Sequence, residues 1–191
     1  MRSSPHVARL VLALVLAVSA AIPAGATTLT RLGLEGLTAA NEMILYGRVL
    51  DIHSYWNADH SFVMTDVRVR PTRVLKGDRA AGEVTFTVLG GTVGDITTLI
   101  IAGPELTPGS DYVLFLNREA LRGNDRVLTV RDLSQGAFEV ASVGGTPRAF
   151  SQALSHALVP DAAGLADPPG GSSGLALDDM FQQVRQLAGD R

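Results

Sequence analysis

The chain has 191 residues, with 16 Lys and Arg against 19 Asp and Glu, and no cysteine. That composition excludes disulfide staples, a thiol nucleophile, a cysteine-ligated metal and a lipid anchor attached through cysteine. The mildly acidic balance gives the molecule as a whole no attraction for nucleic acid or anionic lipid, so only a local basic patch could recruit either.

Residues 1–26 read as a signal peptide. Arg2 and Arg9 bracket a basic segment, Leu10 to Ile22 is apolar and uncharged, and Ala24-Gly25-Ala26 is a small-x-small cleavage pattern. The apolar run falls short of the ~20 residues that a spanning helix needs, and an uncleaved anchor is the alternative. Cleavage removes two arginines and no acid, leaving 14 basic residues against 19 acidic ones. No later run is long and apolar enough to span a membrane, so the expectation is an exported, soluble protein of the periplasm or extracellular space.

Residues 27–158 are expected to form one β-barrel domain, large enough at about 130 residues to bury a core without covalent staples. It starts with a short helix within "LGLEGLTAANEMIL" (32–45), where Leu34, Leu37 and Ile44 fall at helical spacing. The period then changes to two. "ILYGRVLDIHSYW" is a strand, with Leu45, Gly47, Val49 and Asp51 on one parity and Tyr46, Arg48, Leu50 and Ile52 on the other. Asn57-Ala58-Asp59 supplies a turn. In "FVMTDVRVRPTRVLKG", Val63, Thr65, Val67 and Val69 alternate with Met64, Asp66, Arg68 and Arg70, and Pro71 marks a bulge or bend. "EVTFTVLGG" is a third strand with Val84, Phe86 and Val88 inward, "ITTLIIAG" (96–103) a fourth, and "DYVLFLN" a fifth after a loop at 104–110. Arg122-Gly123-Asn124-Asp125 turns into "RVLTV", "GAFEV" closes the β region, and "FSQALSHALV" reads as a helix with His156 on its surface. Regular short strands of this kind make a barrel or a sandwich.

Residues 159–174, rich in Pro, Gly, Ala and Ser, read as a flexible linker. Residues 175–191 form an amphipathic helix, with Leu177, Met180, Phe181, Val184 and Leu187 on one stripe and Asp178 and Asp179 at its start. Such a helix is too short to stand alone in water, so it packs on the barrel or on a partner.

Three stretches are candidates for chemistry. "VLGGTVGD" could cradle phosphate, but that use needs a helix after the glycines, and Ile96 to Ile101 favours a strand. Positive φ in a tight strand-to-strand turn is the better reading, with Thr92 and Val93 at its exposed tip as binding residues. Asp51, His53, Asp59 and His60 hold imidazole and carboxylate groups usable by zinc or manganese, although their spacing matches no familiar metal motif. Beside them, Tyr55 and Trp56 either anchor a partner or cap the core. The basic run Arg68, Arg70, Arg73, Lys76 and Arg79 has no interleaved aromatics and reads as a solvated face, which argues against nucleic acid. The hydrolase signature H-E-x-x-H is absent from the sequence.

The ordered set "ILYGRVLDIHSYW", "VRVRPTRVLKGD", "VTFTVLGGTVGD", "LTPGSDYVLFL", "QGAFEV" and "LALDDMFQQVR" resembles a group of exported bacterial proteins of unknown function. It is also distantly similar to netrin-like domains such as the tissue inhibitors of metalloproteinases. The resemblance implies a mainly β fold: a small closed or partly open barrel of oligonucleotide-binding type with a short N-terminal and a C-terminal helix. It carries no reaction, because those inhibitors chelate zinc through an N-terminal cysteine and the mature chain here would start at Thr27. The expectation is a non-catalytic binding module without a cofactor. Its partner would be a protein or an envelope polymer, met through Tyr55, Trp56, Thr92, Val93 or Phe181. The alternative is a metal-dependent enzyme using residues 51–60, with His53, Asp59 and His60 as ligands.

Overall fold

The computed structural model describes residues 31–78, 82–122, 124–130, 133–154 and 170–189. The expected signal peptide, His156 and most of the expected linker lie outside them. The elements are α1 (Leu34–Ala40), β1 (Met43–Trp56), β2 (Val63–Lys76), β3 (Val84–Leu89), β4 (Gly91–Val93), β5 (Ile96–Thr98), β6 (Asp111–Leu121), β7 (Asn124–Val130), β8 (Ala137–Val143), β9 (Thr146–Ser151), β10 (Leu175–Ala176) and α2 (Leu177–Gly189). The described chain is therefore mainly β.

One antiparallel sheet runs β10-β9-β8-β6-β1-β2-β3, and β4 with β5 forms a separate hairpin. β6 changes partner along its length. Asp111–Leu114 pairs with β8, whereas the half from Leu116 to Leu121 pairs with β7. β3 and β7 lie side by side without a hydrogen-bonded ladder, so the sheet curls but is not closed.

Tyr112–Leu116 of β6 is an unbroken apolar run because both faces of the strand are buried there. Tyr112, Leu114 and Leu116 point into the curl with Leu45, Val49, Val67, Val84 and Phe86. Val113 and Phe115 face the opposite side, where they meet Leu34 and Leu37 of α1 and Leu177, Met180, Phe181 and Val184 of α2. The C-terminal helix thus packs back on its own sheet. Phe181 is 3% exposed, 5.5 Å from the Tyr46 ring, with the Arg73 guanidinium 5.1 Å above it. Its expected place on a binding surface is corrected accordingly: an apolar ring at this point of the stripe is worth more inside the core than in water.

α1 is short for a helix and gains its hold from side chains. Thr38 Oγ1 donates to Leu34 O and Asn41 Nδ2 to Leu37 O, both at 2.7 Å. From β2, Lys76 Nζ donates to Thr38 O and Asn41 O at 2.6 Å, placing a cation on the helix's carbonyl end.

Three register slips reshape the long β1–β2 hairpin, the first between Ile44 and Leu45. The ladder slips between Val49 and Asp51, so Leu50 is the extra residue and the parity reverses beyond it. Asp51 consequently faces outward onto Arg68, and Ile52 joins the face that carries Val49. A second slip sets Gly47 against Pro71. A Cβ at Gly47 would lie 2.5 Å from Arg70 O and 2.9 Å from Pro71 Cα, both backbone atoms. Gly47→Ala should therefore cost about 1–3 kcal/mol, measured as a lower chemical-denaturation midpoint at unchanged slope.

Two sequence expectations fail here. "ITTLIIAG" is not one strand, because β5 ends at Thr98 and residues 99–103 form a turn. "FSQALSHALV" does not open as an α-helix. Phe150 and Ser151 end β9, and Gln152–Leu154 make a single 3₁₀ turn.

Candidate functional site

The corner after β3 organises one end of the curl. Gly90 N donates to Val63 O at 2.9 Å, and Thr65 Oγ1 donates to Gly90 O at 2.6 Å. That donation uses the only hydroxyl proton of Thr65, so Ser54, 2.8 Å away, must be the donor in the Ser54–Thr65 bond. Gly90 and Gly91 have φ of +88° and +126°. Their chain continues into a strand, β4, and provides no helix N-terminus for an anion. The glycines serve backbone geometry.

The tip of this hairpin lies further on than the sequence suggested. Gly94 and Asp95 make the turn, while Thr92 and Val93 belong to β4 and pair with Thr97 and Ile96. Thr92 is exposed, its hydroxyl 3.0 Å from that of Thr97, and Val93 is half-buried. Thr92 and Val93 therefore do not form the tip.

The segment after β5 is the feature that sequence reasoning missed. Leu99 is 83% exposed and Ile101 68%, with Ile96 and Ile52 also exposed nearby in the chain or sheet. The backbone that displays them is tied down. Gly103 N donates to Ile100 O at 3.0 Å, and Ser134 N donates to Ala102 O at 3.0 Å. Glu105 is clamped through both backbone groups: its N–H donates to Gln152 Oε1 at 3.0 Å, and its carbonyl accepts from Gln152 Nε2 at 2.6 Å. Ala102 itself is buried and holds φ of +60°, an uncommon setting for a residue with a Cβ. The loop thus holds two large aliphatic side chains in water on a backbone fixed by hydrogen bonds.

Three adjoining cavities of about 350, 540 and 370 Å³ lie along this loop, and Leu89 and Pro104 line all three. The first runs under Leu99–Gly103. The second reaches Ile52, His53, Ser54 and Thr65, and the third opens at the unpaired seam toward Glu119, Leu121 and Thr129. Together they make a groove with mostly aliphatic walls.

The other expected site residues are spread out. Tyr55 is half-buried and its hydroxyl donates to Asp66 Oδ1 at 3.1 Å. Trp56 ends β1, half-buried, stacked on His60 with ring centres 6.4 Å apart. His53 is exposed and stacks on Tyr55 at 6.2 Å. Asp59 accepts from Ser61 Oγ at 2.7 Å and Ser61 N at 3.1 Å, and these bonds, the hydroxyl's first, hold its carboxyl below the ordinary range. Among the described residues no three His, Asp or Glu side chains are grouped to hold a metal ion, so His53, Asp59 and His60 do not make the ligand set considered for them. Their carboxylate is occupied by its own turn.

The basic run is likewise engaged. Arg68 pairs with Asp51 and Glu83, Arg70 with Glu83, Arg73 lies over Phe181 and Lys76 caps α1. Arg79 lies outside the described residues. Among those residues, no helix is long and apolar enough to cross a membrane. No protein-family model matches the chain, and a search of curated proteins returns no match.

Proposed function

We propose that the protein is an exported, non-catalytic binding module that docks a protein or an envelope polymer in the groove beside residues 99–106. One observation carries this reading: Leu99 and Ile101 are held in water by a hydrogen-bonded loop at the lip of that groove. Solvating such side chains on a fixed backbone is unfavourable, and covering them with a partner releases that cost. Export rests on the leader features of residues 1–26. A partly open barrel of oligonucleotide-binding type is the architecture we infer, supported by the curl of β1, β2, β3, β6 and β7 around one core and by the ordered motifs of the sequence.

The test compares the wild-type protein with the double variant L99S/I101S, each immobilised and exposed to envelope extract. Both side chains are mostly exposed, so the variant should match wild-type stability to within about 0.5 kcal/mol. It should lose the species that the wild type retains. Identical retention by the two would remove the groove from consideration.

A further inference from the structure

The charges around the groove narrow its occupant. Across its three cavities the described lining residues include Glu105 and Glu119 and neither lysine nor arginine. Elsewhere on the surface Asp51 and Glu83 pair with Arg68, Asp111 with Arg48, and Glu42 with Arg118. Glu105 and Glu119 have no ion pair among the described residues. Glu105 projects from the backbone fixed by Gln152, so its carboxylate is positioned by the loop. Glu119 is half-buried beside Leu121, where an unpaired carboxylate loses part of its hydration. A cation delivered there by a ligand restores the lost interaction and sets the ligand's register.

The walls point to side chains as the matching surface. Among the described residues the His53 imidazole is the one aromatic ring in the cavity walls, and neither phenyl, phenol nor indole rings line them. Sugar rings and nucleobases stack on such flat faces, and the absence of those faces from the walls disfavours both. Leu89, Leu99 and Ile101 with Pro104 instead suit branched aliphatic side chains.

We propose that the groove binds a basic, apolar peptide segment of a protein partner, with its aliphatic residues on Leu99 and Ile101 and its lysines or arginines at Glu105 and Glu119. This deepens the docking reading above and rests on it. The test is calorimetric titration of the full protein with short synthetic peptides alternating leucine with lysine, leucine with glutamate, or serine with lysine. The leucine–lysine peptide should bind at least about tenfold more tightly than the leucine–glutamate one. The serine–lysine peptide should not bind measurably. The variant E105Q/E119Q, with an unchanged thermal midpoint, should reduce the charge preference to about twofold or less.

Equal binding of the two leucine peptides overturns the charge assignment while leaving the apolar groove intact. Absence of binding by all three overturns the peptide proposal, and the L99S/I101S comparison then decides the docking reading by itself. Binding to neutral phosphatidylcholine vesicles in place of any peptide assigns the loop to a lipid surface and also overturns the proposal.

Discussion

Phe115→Ala should lower the stability of the folded chain by about 3–5 kcal/mol, the range for deleting a fully buried aromatic ring. Phe115 is 0% exposed and its ring lies 5.6 Å from that of Phe138 in a tilted arrangement. It stands where both helices meet the outer face of the sheet, among Leu37, Met180 and Val184. With Phe138 these neighbours belong to three different elements, β8 and the two helices, so no single one can move inward to fill the space. A domain of this size has only ~5–15 kcal/mol in total, and the loss removes a large share of it. Chemical denaturation followed by circular dichroism measures the effect. A loss below about 1 kcal/mol would mean that the helices do not cover this face as described.

Gly91→Val should cost about 3 kcal/mol or more and also abolish binding in the groove. Two effects add. A φ of +126° is strained for any residue with a Cβ, by about 1–3 kcal/mol. The new Cβ would also run into the hydroxyls of Thr65 and Ser54. Neither hydroxyl can simply turn away, because Thr65 is bound to Gly90 O and Ser54 to Thr65. The corner must therefore shift, and with it the wall that Gly91 gives to two of the cavities. Thr92→Ala, one residue further, should stay within about 0.5 kcal/mol of wild type, since that side chain is exposed. Equal tolerance at the two positions would remove the geometric role of the glycine.

Much of this architecture was legible because local rules and tertiary demands agree. The alternation in residues 63–69 reports a strand with one face on the core, and β2 has that form. The stripe Leu177, Met180, Phe181, Val184 reports a helix with one apolar side, and those four are its buried residues. The failures occur where one residue reverses a pattern. The bulge at Leu50 moves Asp51 outward and Ile52 onto the face that carries Val49, and no alternation rule announces an extra residue. Gly144-Gly145 between two short extended runs is a hairpin signal, and β8 and β9 flank it, so Phe150 ends a strand where helical spacing predicts a helix. Gln152 was unremarkable in sequence, since its clamp on Glu105 joins residues 47 apart.

The groove was the hardest to foresee. Residues 96–103 are apolar and β-branched, which is the composition of a buried strand. The turn at Ile101 and Ala102 diverts the chain after Thr98. Leu99 and Ile101 then face water with the side chains that a core strand would have used. Composition alone cannot separate an apolar segment kept for the interior from one kept for a partner. The hydrogen bonds that fix its backbone separate the two.

The packing of α2 also sets an order of events during synthesis. Ile44, Val113, Phe115 and Phe138 come from strands that are complete in the first 151 residues, while their cover begins at Leu177. Until those later residues have emerged, a nascent chain holds a nearly finished sheet with one adhesive side. That interval is when self-association competes with folding, and a chaperone that shields apolar surface would be needed most then. A chain cut short at Gly174 would stay in that condition permanently. Its yield and lifetime would suffer before any loss of ligand recognition could be measured.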